Sequence, residues 1–286
     1  MWDILHDRTY RRLFLAQVCS LLGTGLLTVA LGLLAFELEG ENAGLILGAI
    51  FTIKMVTYVT IAPLAGAIAG QVPRRAMLVA LDVLRALVAL ALPFVGQTWE
   101  VFLLVLVLFA ASAAFTPVYQ ATIPDILPEE DRYTRALSLS RLAYDLEAIL
   151  TPGLAALALL FVSFDMLFLG TLAGFVLSAL LILRTRLPSP APSETESLRE
   201  RITLGLRIYL ATPRLRGLLA LNLAVSAAGA MVLVNTVGLV RAVLGLGSSA
   251  VAVALGAFGA GSMSAALLLP RWLEQLTDRP GLFSGA

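Results

Sequence analysis

The sequence predicts an all-α integral membrane protein with about 8 transmembrane helices, a six-helix N-terminal bundle followed by an incomplete second bundle. Composition, the spacing of the apolar runs and an internal repeat support this prediction. Of 286 residues, 59% are hydrophobic and 14% are charged, whereas a typical soluble domain is about 45–50% apolar and about 25% charged. Too few polar residues remain to cover a soluble core, so the chain is expected to lie in a bilayer.

Eight apolar runs are each long enough to cross a hydrocarbon core of about 30 Å at about 1.5 Å per helical residue. They lie at about 13–36, 43–70, 76–96, 101–120, 142–163, 165–183, 217–240 and 249–270. Polar turns separate them, including a short one at 163–165. We predict a six-helix bundle over residues 1–186, a proline-containing cytoplasmic linker over 187–215, and a partial second bundle of two helices over 216–286.

An internal repeat suggests duplication at an offset of 204 residues. Arg12, Leu15, Ala16 and Gly25 recur as Arg216, Leu219, Ala220 and Gly229, and Arg75 recurs as Arg279. Such similarity is typical of transporters built from two related halves. The first copy ends near residue 185, so a second copy at this offset would end near residue 389. We therefore expect the second bundle to be truncated after about helix 8.

The basic residues lie almost entirely on one side of the predicted helices. With Arg8, Arg11 and Arg12 placed in the cytoplasm and the helices alternating, 17 of the 20 lysines and arginines fall in cytoplasmic segments. The opposite loops hold only Arg241. Because cytoplasmic loops of membrane proteins are enriched in Lys and Arg, this split predicts that both termini are cytoplasmic.

The scarcity of reactive side chains argues against an enzyme. Cys19 and His6 are the only cysteine and histidine, which excludes an internal disulfide and disfavours a cysteine metal cage or a Ser-His-Asp triad. We expect no catalytic residue, no metal site and no cofactor. The net charge of +1 gives no indication of a nucleic-acid partner, and none is expected.

Two pairs of opposite charges lie within the predicted helices, where an unpaired charge costs several kcal/mol. Asp82 and Arg85 are spaced i,i+3, and Arg141 and Asp145 are spaced i,i+4, so each pair can meet on one helix face. The first pair is interpreted as a structural ion pair near the inner interface and the second as a gate or structural pair. Either carboxylate could instead carry a proton.

Lys54 lies deep in the second predicted helix, with no acidic residue within one helical turn. A cation at this depth is expected to pair with another helix or to face an aqueous cavity.

Small residues serve a different purpose, because they allow helices to approach closely. That packing role is assigned to Gly23, Gly25, Gly44, Gly48 and Gly66.

The turn between helices 2 and 3 resembles a loop of the major facilitator superfamily, in its bacterial efflux branch. The family pattern is Gly-x-x-x-Asp-Arg-x-Gly-Arg-Arg, and Gly66, Arg74 and Arg75 match it. Gly70 stands where the family has Asp, and Pro73 where it has the second Gly. The first departure removes a carboxylate that in the family helps to latch the cytoplasmic gate.

Two further segments are similar to exporters of this superfamily. Thr151-Pro152-Gly153 resembles the Gly-Pro-x-x-Gly element of exporters, with Thr in place of the leading Gly. The stretch 120–145 is similar to nickel-resistance-type exporters, although this chain lacks the histidine-rich tail associated with them. A divalent metal prefers histidine, cysteine or clustered carboxylates, and this sequence offers scattered Asp and Glu.

The resemblance implies a secondary active transporter of the bacterial inner membrane. It implies alternating access with proton-coupled efflux of a toxic small molecule or a divalent metal cation. In the superfamily, helices 1, 2, 4 and 5 contribute to the pathway. The candidate pathway residues are Lys54, Asp145, Glu147, Gln17, Tyr58, Tyr119 and Gln120, with Thr24 and Thr28 as further polar candidates. The candidate gate and loop residues are Gly66, Arg74, Arg75, Asp82, Arg85, Arg141, Pro152 and Gly153.

The expected partners are the lipid bilayer, the small-molecule or metal-ion substrate, and the proton as coupling ion, while the sequence leaves the oligomeric state open. An alternative from a different class is a truncated membrane module that does not transport. Such a module would act only through association with a partner or as a dimer. Chain length is the feature that separates the two hypotheses.

Overall fold

The structure, a computed structural model, describes residues 2–187, 203, 207–208, 210–238, 257 and 261. The chain divides into two compact units, Met1–Thr203 and Leu204–Ala286. All regular secondary structure in the described residues is helical. The predicted all-α architecture is therefore confirmed for this part of the chain, whereas the predicted domain boundaries remain predictions.

Six long helices build the first unit, and one described helix lies in the second. They are α1 (Arg8–Glu39), α2 (Ala43–Ile68), α3 (Arg74–Ala91), α4 (Thr98–Ile126), α5 (Glu130–Leu159), α6 (Asp165–Leu183) and α7 (Pro213–Gly238). Short 3-10 turns cover Trp2–His6, Gly40–Asn42 and Leu92–Phe94.

Local side chains determine where several helices begin and end. The Asp7 carboxylate accepts hydrogen bonds from the backbone N–H groups of Thr9 and Tyr10, which caps the first turn of α1. Gln97 and Glu100 form a capping box at the start of α4. Gly40 ends α1 with a φ of 52°, a conformation that residues with a Cβ rarely adopt.

Five helices of the described chain are long and apolar enough to cross a membrane, namely α1, α2, α3, α4 and α6. Helix α5 starts at Glu130, well before the apolar run predicted from 142. Its charged first half explains why it is less apolar than the others. The predicted span at 217–240 overlaps α7, and the span at 249–270 lies outside the described residues apart from 257 and 261. The total of 8 helices remains a prediction.

Within the first unit, the neighbours of each helix follow from the closest contacts. Helix α6 packs on α1 and α3, α4 packs on α2 and α3, and α5 packs mainly on α1. Helices α2 and α5 have the smallest share of buried residues among the six helices of this unit, and only 17% of the apolar window of α2 is buried. Lys54 and Tyr58 of α2 and Tyr144 and Glu147 of α5 are polar residues that remain partly accessible in this arrangement.

Helices α1 and α6 approach each other closely at two glycines. A Cβ on Gly174 would lie 2.7 Å from the carbonyl oxygen of Cys19 and 3.0 Å from the Cα of Gly23. Close packing is thus found at Gly23, as expected. In the part of the chain that the structure describes, no atom lies within 4 Å of a Cβ built on Gly44 or Gly48, so no such packing is seen there.

Candidate functional site

Four polar side chains of α2 and α5 form the candidate site, which we call the polar cluster: Lys54, Tyr58, Tyr144 and Glu147. All four are partly buried. Glu147 lies within electrostatic reach of Lys54, and Tyr58 lies within reach of both Tyr144 and Glu147. These interactions connect three of the predicted pathway residues, Lys54, Tyr58 and Glu147, and include Tyr144, which the sequence does not single out.

Lys54 projects from α2 towards α4. Its ammonium nitrogen lies 5.7 Å from the centroid of the Phe109 ring, and a cation at this distance from an aromatic face gains about 0.5–2 kcal/mol. No carboxylate lies within ion-pair distance of Lys54 in the described ranges. The aromatic ring therefore stabilises the charge of Lys54 without forming an ion pair.

Glu147 lies against α1 at a position where that helix has no side chain. A Cβ on Gly25 would collide with Glu147 Oε1 and with the side chain of Thr151. Gly25 therefore makes room for the carboxylate, as its predicted packing role implies. Among the described residues, Glu147 accepts no hydrogen bond and forms no ion pair within 4 Å, so its carboxylate remains available to a proton or a ligand.

The neighbouring polar residues differ in how near they come to the polar cluster. The hydroxyl oxygens of Tyr144 and Thr116 are 3.3 Å apart, which joins α5 to α4. Gln120, on the same helix as Thr116, is exposed. Asp145 is instead paired with Arg141 at 3.3 Å, with side chains 56% and 78% exposed. This pair is thus more exposed than the four residues of the polar cluster, which are partly buried.

Two other predicted pathway residues lie in the packed interior of the first unit. Gln17 and Tyr119 are each only 2% exposed. The Tyr119 ring stacks on Phe115 with centroids 6.1 Å apart. Gln17 lies on α1 and Tyr119 on α4, which correspond to predicted pathway helices. Both side chains nevertheless point into the packed interior of the first unit. Their role in the pathway remains a prediction.

Behind the polar cluster, Asp82 and Arg85 form an ion pair that is almost fully buried. Asp82 is 0% exposed and Arg85 is 2% exposed, and Arg85 Nη2 donates to Asp82 Oδ1. Arg85 Nη1 also donates to Ser20 Oγ of α1 at 2.9 Å. The hydroxyl of Ser178 on α6 donates to Asp82 Oδ2 at 2.6 Å. The pair thus lies in the interior of the bundle and connects three helices, while its predicted depth near the inner membrane interface remains a prediction.

Two aromatic rings enclose the guanidinium group of Arg85. Its Cζ lies 4.3 Å from the centroid of Phe115 on α4 and 4.6 Å from that of Phe175 on α6. Arg85 also lies within electrostatic reach of Tyr58 and Tyr144. Arginine stacks on aromatic faces more readily than lysine does. The buried pair therefore supports the wall of the bundle on which the polar cluster lies.

Arginines at one end of the first unit bind the ends of α4 and α6. We call this the basic end. Arg74 donates to the carbonyl oxygen of Ala121 and to Asp125, while Arg75 donates to the carbonyl oxygen of Leu183. Because the last carbonyls of a helix are unpaired and partly negative, Arg75 stabilises the end of α6, while Arg74 joins α3 to the last turns of α4. Arg74 thus acquires a carboxylate partner from α4, although Gly70 replaces the carboxylate of the family loop.

The remaining loop and motif residues show few contacts. A Cβ on Gly66 would lie 3.7 Å from the Cβ of Pro117, an ordinary contact. Pro152 and Gly153 lie within α5, and a Cβ on Gly153 would meet no atom within 4 Å. Over the described residues, no group of three or more His, Cys, Asp or Glu side chains is arranged to hold a metal ion. The gate roles predicted for Gly66, Pro152 and Gly153 remain predictions.

Comparison with known proteins identifies the family. The family model described as Major Facilitator Superfamily matches residues 13–285. No curated protein matches the chain. Because the family match spans nearly all 286 residues and agrees with a bundle of apolar helices, the chain belongs to the major facilitator superfamily of membrane transporters.

Proposed function

We propose that this chain is a proton-coupled exporter that works by alternating access, in which the pathway opens first to one side of the membrane and then to the other. The polar cluster is the observation that carries the proposal. It places a carboxylate, an ammonium group and two phenol rings on the least covered helices of a bundle of apolar helices. Ionisable groups at such positions are costly and typically mark an ion or substrate pathway.

Glu147 is the proposed proton carrier. An ionised carboxylate in an apolar helix bundle is unfavourable without a partner, and Glu147 has no hydrogen bond or ion pair in the described residues. Binding a proton or a cationic substrate removes this cost. Release of one upon binding of the other couples the two fluxes, because both compete for the same carboxylate.

Lys54 is proposed to set the balance of charge at this site. Its ammonium group lies within electrostatic reach of Glu147, so it stabilises the ionised carboxylate that remains after a proton leaves. The ammonium group of Lys54 lies 5.7 Å from the centroid of the Phe109 ring of α4. This contact is proposed to prevent a tight ion pair between Lys54 and Glu147, which would block the substrate. Loss of Lys54 is expected to favour the protonated carboxylate and to slow the release of protons.

The surroundings of Glu147 favour an amphipathic organic cation as substrate. Tyr58 and Tyr144 provide aromatic faces near the carboxylate, and aromatic faces attract cations and apolar groups. A divalent metal requires several hard or nitrogen ligands, and a single carboxylate beside an ammonium group provides a poor set. A metal cation is therefore the second choice of substrate.

The charge split supports the proposed location. The arginines of the basic end face the same side as the N-terminus, and the predicted loops on that side carry 17 of the 20 basic residues. We propose that this side is the cytoplasm of a bacterial cell and that both termini lie there. The membrane is then the inner membrane, across which a proton gradient is available.

Everted membrane vesicles from cells without major drug exporters test the proposal. Vesicles with the 286-residue chain are acidified by respiration, and a panel of organic cations and nickel is added while the internal pH is followed. The wild type is expected to release protons when a substrate is added. Glu147→Gln should abolish this release, and Lys54→Met should reduce it.

Glu129→Gln provides a matched control, because it removes a 65% exposed carboxylate at the start of the same helix. It should behave as the wild type does. Equal responses from Glu147→Gln and the wild type would refute the role of Glu147. No response from the wild type to any compound would instead favour the alternative, a membrane module that acts through a partner or as a dimer.

A further inference from the structure

Two arginines of the basic end converge on the last turn of α6. Arg12 Nη1 donates to the carbonyl oxygen of Arg184 at 2.7 Å, and Arg75 Nη2 donates to the carbonyl oxygen of Leu183. The two acceptors belong to successive residues, so both guanidinium groups lie at the same end of α6. Arg184, the C-cap residue of α6, adds a third positive charge.

These three arginines are exposed and lack acidic partners. All three side chains are exposed, and none forms an ion pair with a carboxylate among the described residues. Three other arginines of this end, Arg74, Arg132 and Arg135, each have a carboxylate within 4.0 Å. The helix dipole of α6 supplies only about half a negative charge. The cluster therefore retains a net positive charge that an anion would neutralise.

The same part of the surface continues as an apolar strip towards the middle of the bundle. Leu183, Leu180 and Leu177 are exposed in the last two turns of α6 before Arg184, at spacings that place them along one helix face. Leu15, one turn after Arg12 on α1, is also exposed. A ligand that fits this surface has an anionic head and long apolar chains.

We propose that Arg12, Arg75 and Arg184 bind the phosphate of an anionic phospholipid, whose acyl chains lie on the leucines of α6. A guanidinium group has five N–H donors in a planar fork that matches phosphate oxygens. Arg12 and Arg75 each use one nitrogen on a helix carbonyl, and their other N–H groups remain available. The ends of α1, α3 and α6 meet here, so a bound lipid would connect three helices at the membrane surface.

The test compares two double variants that lose the same charge. Arg12→Gln/Arg75→Gln removes the convergent pair, whereas Arg132→Gln/Arg135→Gln removes two arginines of the same end that already have carboxylate partners. Each protein is purified in detergent and mixed with phosphatidylglycerol, cardiolipin or phosphatidylcholine. Native mass spectrometry counts the retained lipids, and the melting temperature is measured with and without lipid.

The wild type and the control are expected to retain phosphatidylglycerol and cardiolipin in preference to phosphatidylcholine and to melt at a higher temperature with them. Arg12→Gln/Arg75→Gln should lose both effects. Adding inorganic phosphate should leave the bound lipid in place, because phosphate alone lacks the acyl contacts. Should the double variant not fold, Arg75→Gln is compared with Arg135→Gln, and only the former should retain less anionic lipid.

Equal retention by the convergent and control variants would overturn the proposal, because it would show that any loss of positive charge has the same effect. Displacement of the lipid by inorganic phosphate would overturn it too, since the surface would then be a site for free phosphate. This proposal does not depend on transport. A failed lipid test leaves the proposed export intact, and a failed transport test leaves the lipid site intact.

Discussion

The buried Asp82–Arg85 pair yields the sharpest prediction about stability. Replacing Asp82 with Ala leaves the Arg85 guanidinium with no counter-charge at a position that is only 2% exposed. It also removes the acceptor of the Ser178 hydroxyl, which donates to Asp82 at 2.6 Å. Asp82→Ala is therefore expected to destabilise the protein strongly.

The size of this effect follows from burial. Removing one partner of a buried ion pair typically costs about 3–5 kcal/mol, because an uncompensated charge remains. The aromatic rings that enclose Arg85 offset only part of this cost, since a cation–π contact contributes about 0.5–2 kcal/mol. The double variant Asp82→Ala/Arg85→Met leaves no unpaired charge and should be less destabilised than Asp82→Ala alone.

Unfolding in mixed micelles of a mild detergent and dodecyl sulfate, followed by circular dichroism, measures these differences. The control is Asp145→Ala, which breaks an ion pair whose side chains are 56% and 78% exposed. Exposed pairs contribute about 0–1 kcal/mol, so the control should remain close to the wild type. A cost below about 1 kcal/mol for Asp82→Ala, or a double variant worse than the single, would refute the reasoning from burial.

Three further changes test the packing of the bundle. Gly174→Ala brings a Cβ within 2.7 Å of the α1 backbone, and overpacking should lower the free energy of unfolding by about 1–3 kcal/mol. The control is Gly32→Ala, whose Cβ meets no atom within 4 Å and which should be neutral or stabilising in the same unfolding assay. Thr171→Val removes the hydrogen bond to the Gly23 carbonyl at 3.0 Å and should cost about 0.6 kcal/mol, a typical value between membrane helices. Arg74→Gln breaks the contacts of α3 with the end of α4, so hydrogen exchange should increase at 121–126; unchanged exchange would argue against that tie.

Much of the fold follows directly from the sequence, because apolar runs of membrane-spanning length determine where helices lie. The breaks at residues 40–42 and 160–164 match the polar turns that the sequence predicts. Helix α5 begins at residue 130, 12 residues before the apolar run predicted from 142. In this segment charged side chains pair one helical turn apart, as Asp131 and Arg135 do at 2.5 Å, so the helix continues beyond the apolar run.

The partners of the buried ion pair could not be predicted in the same way. The i,i+3 spacing of Asp82 and Arg85 predicts that they meet, but it does not show which helix covers them. Ser20 and Ser178 reach the pair because α1 and α6 approach closely at Gly23 and Gly174, a geometry set by three-dimensional packing. Neither serine stands out in the sequence.

The sequence does not show how each helix is rotated about its axis, and this limits the prediction of the candidate site. Gln17 and Tyr119 lie on the predicted pathway helices, yet both are buried. Tyr144 was overlooked, although it lies three residues before Glu147 and therefore on the same face of α5. Because these apolar helices are only weakly amphipathic, the periodic spacing of apolar residues gives little information about which face is turned towards a pathway.

The central claim is that the polar cluster lines a water-filled pathway, and cysteine accessibility tests it most directly. In a Cys19→Ala background, Lys54→Cys and Ser178→Cys are treated in membranes with a charged methanethiosulfonate reagent, which reacts with thiolates in contact with water. Lys54 is only partly buried, whereas Ser178 is 0% exposed. The account predicts rapid labelling at position 54 and none at 178. An unreactive cysteine at position 54 in folded protein would contradict the claim.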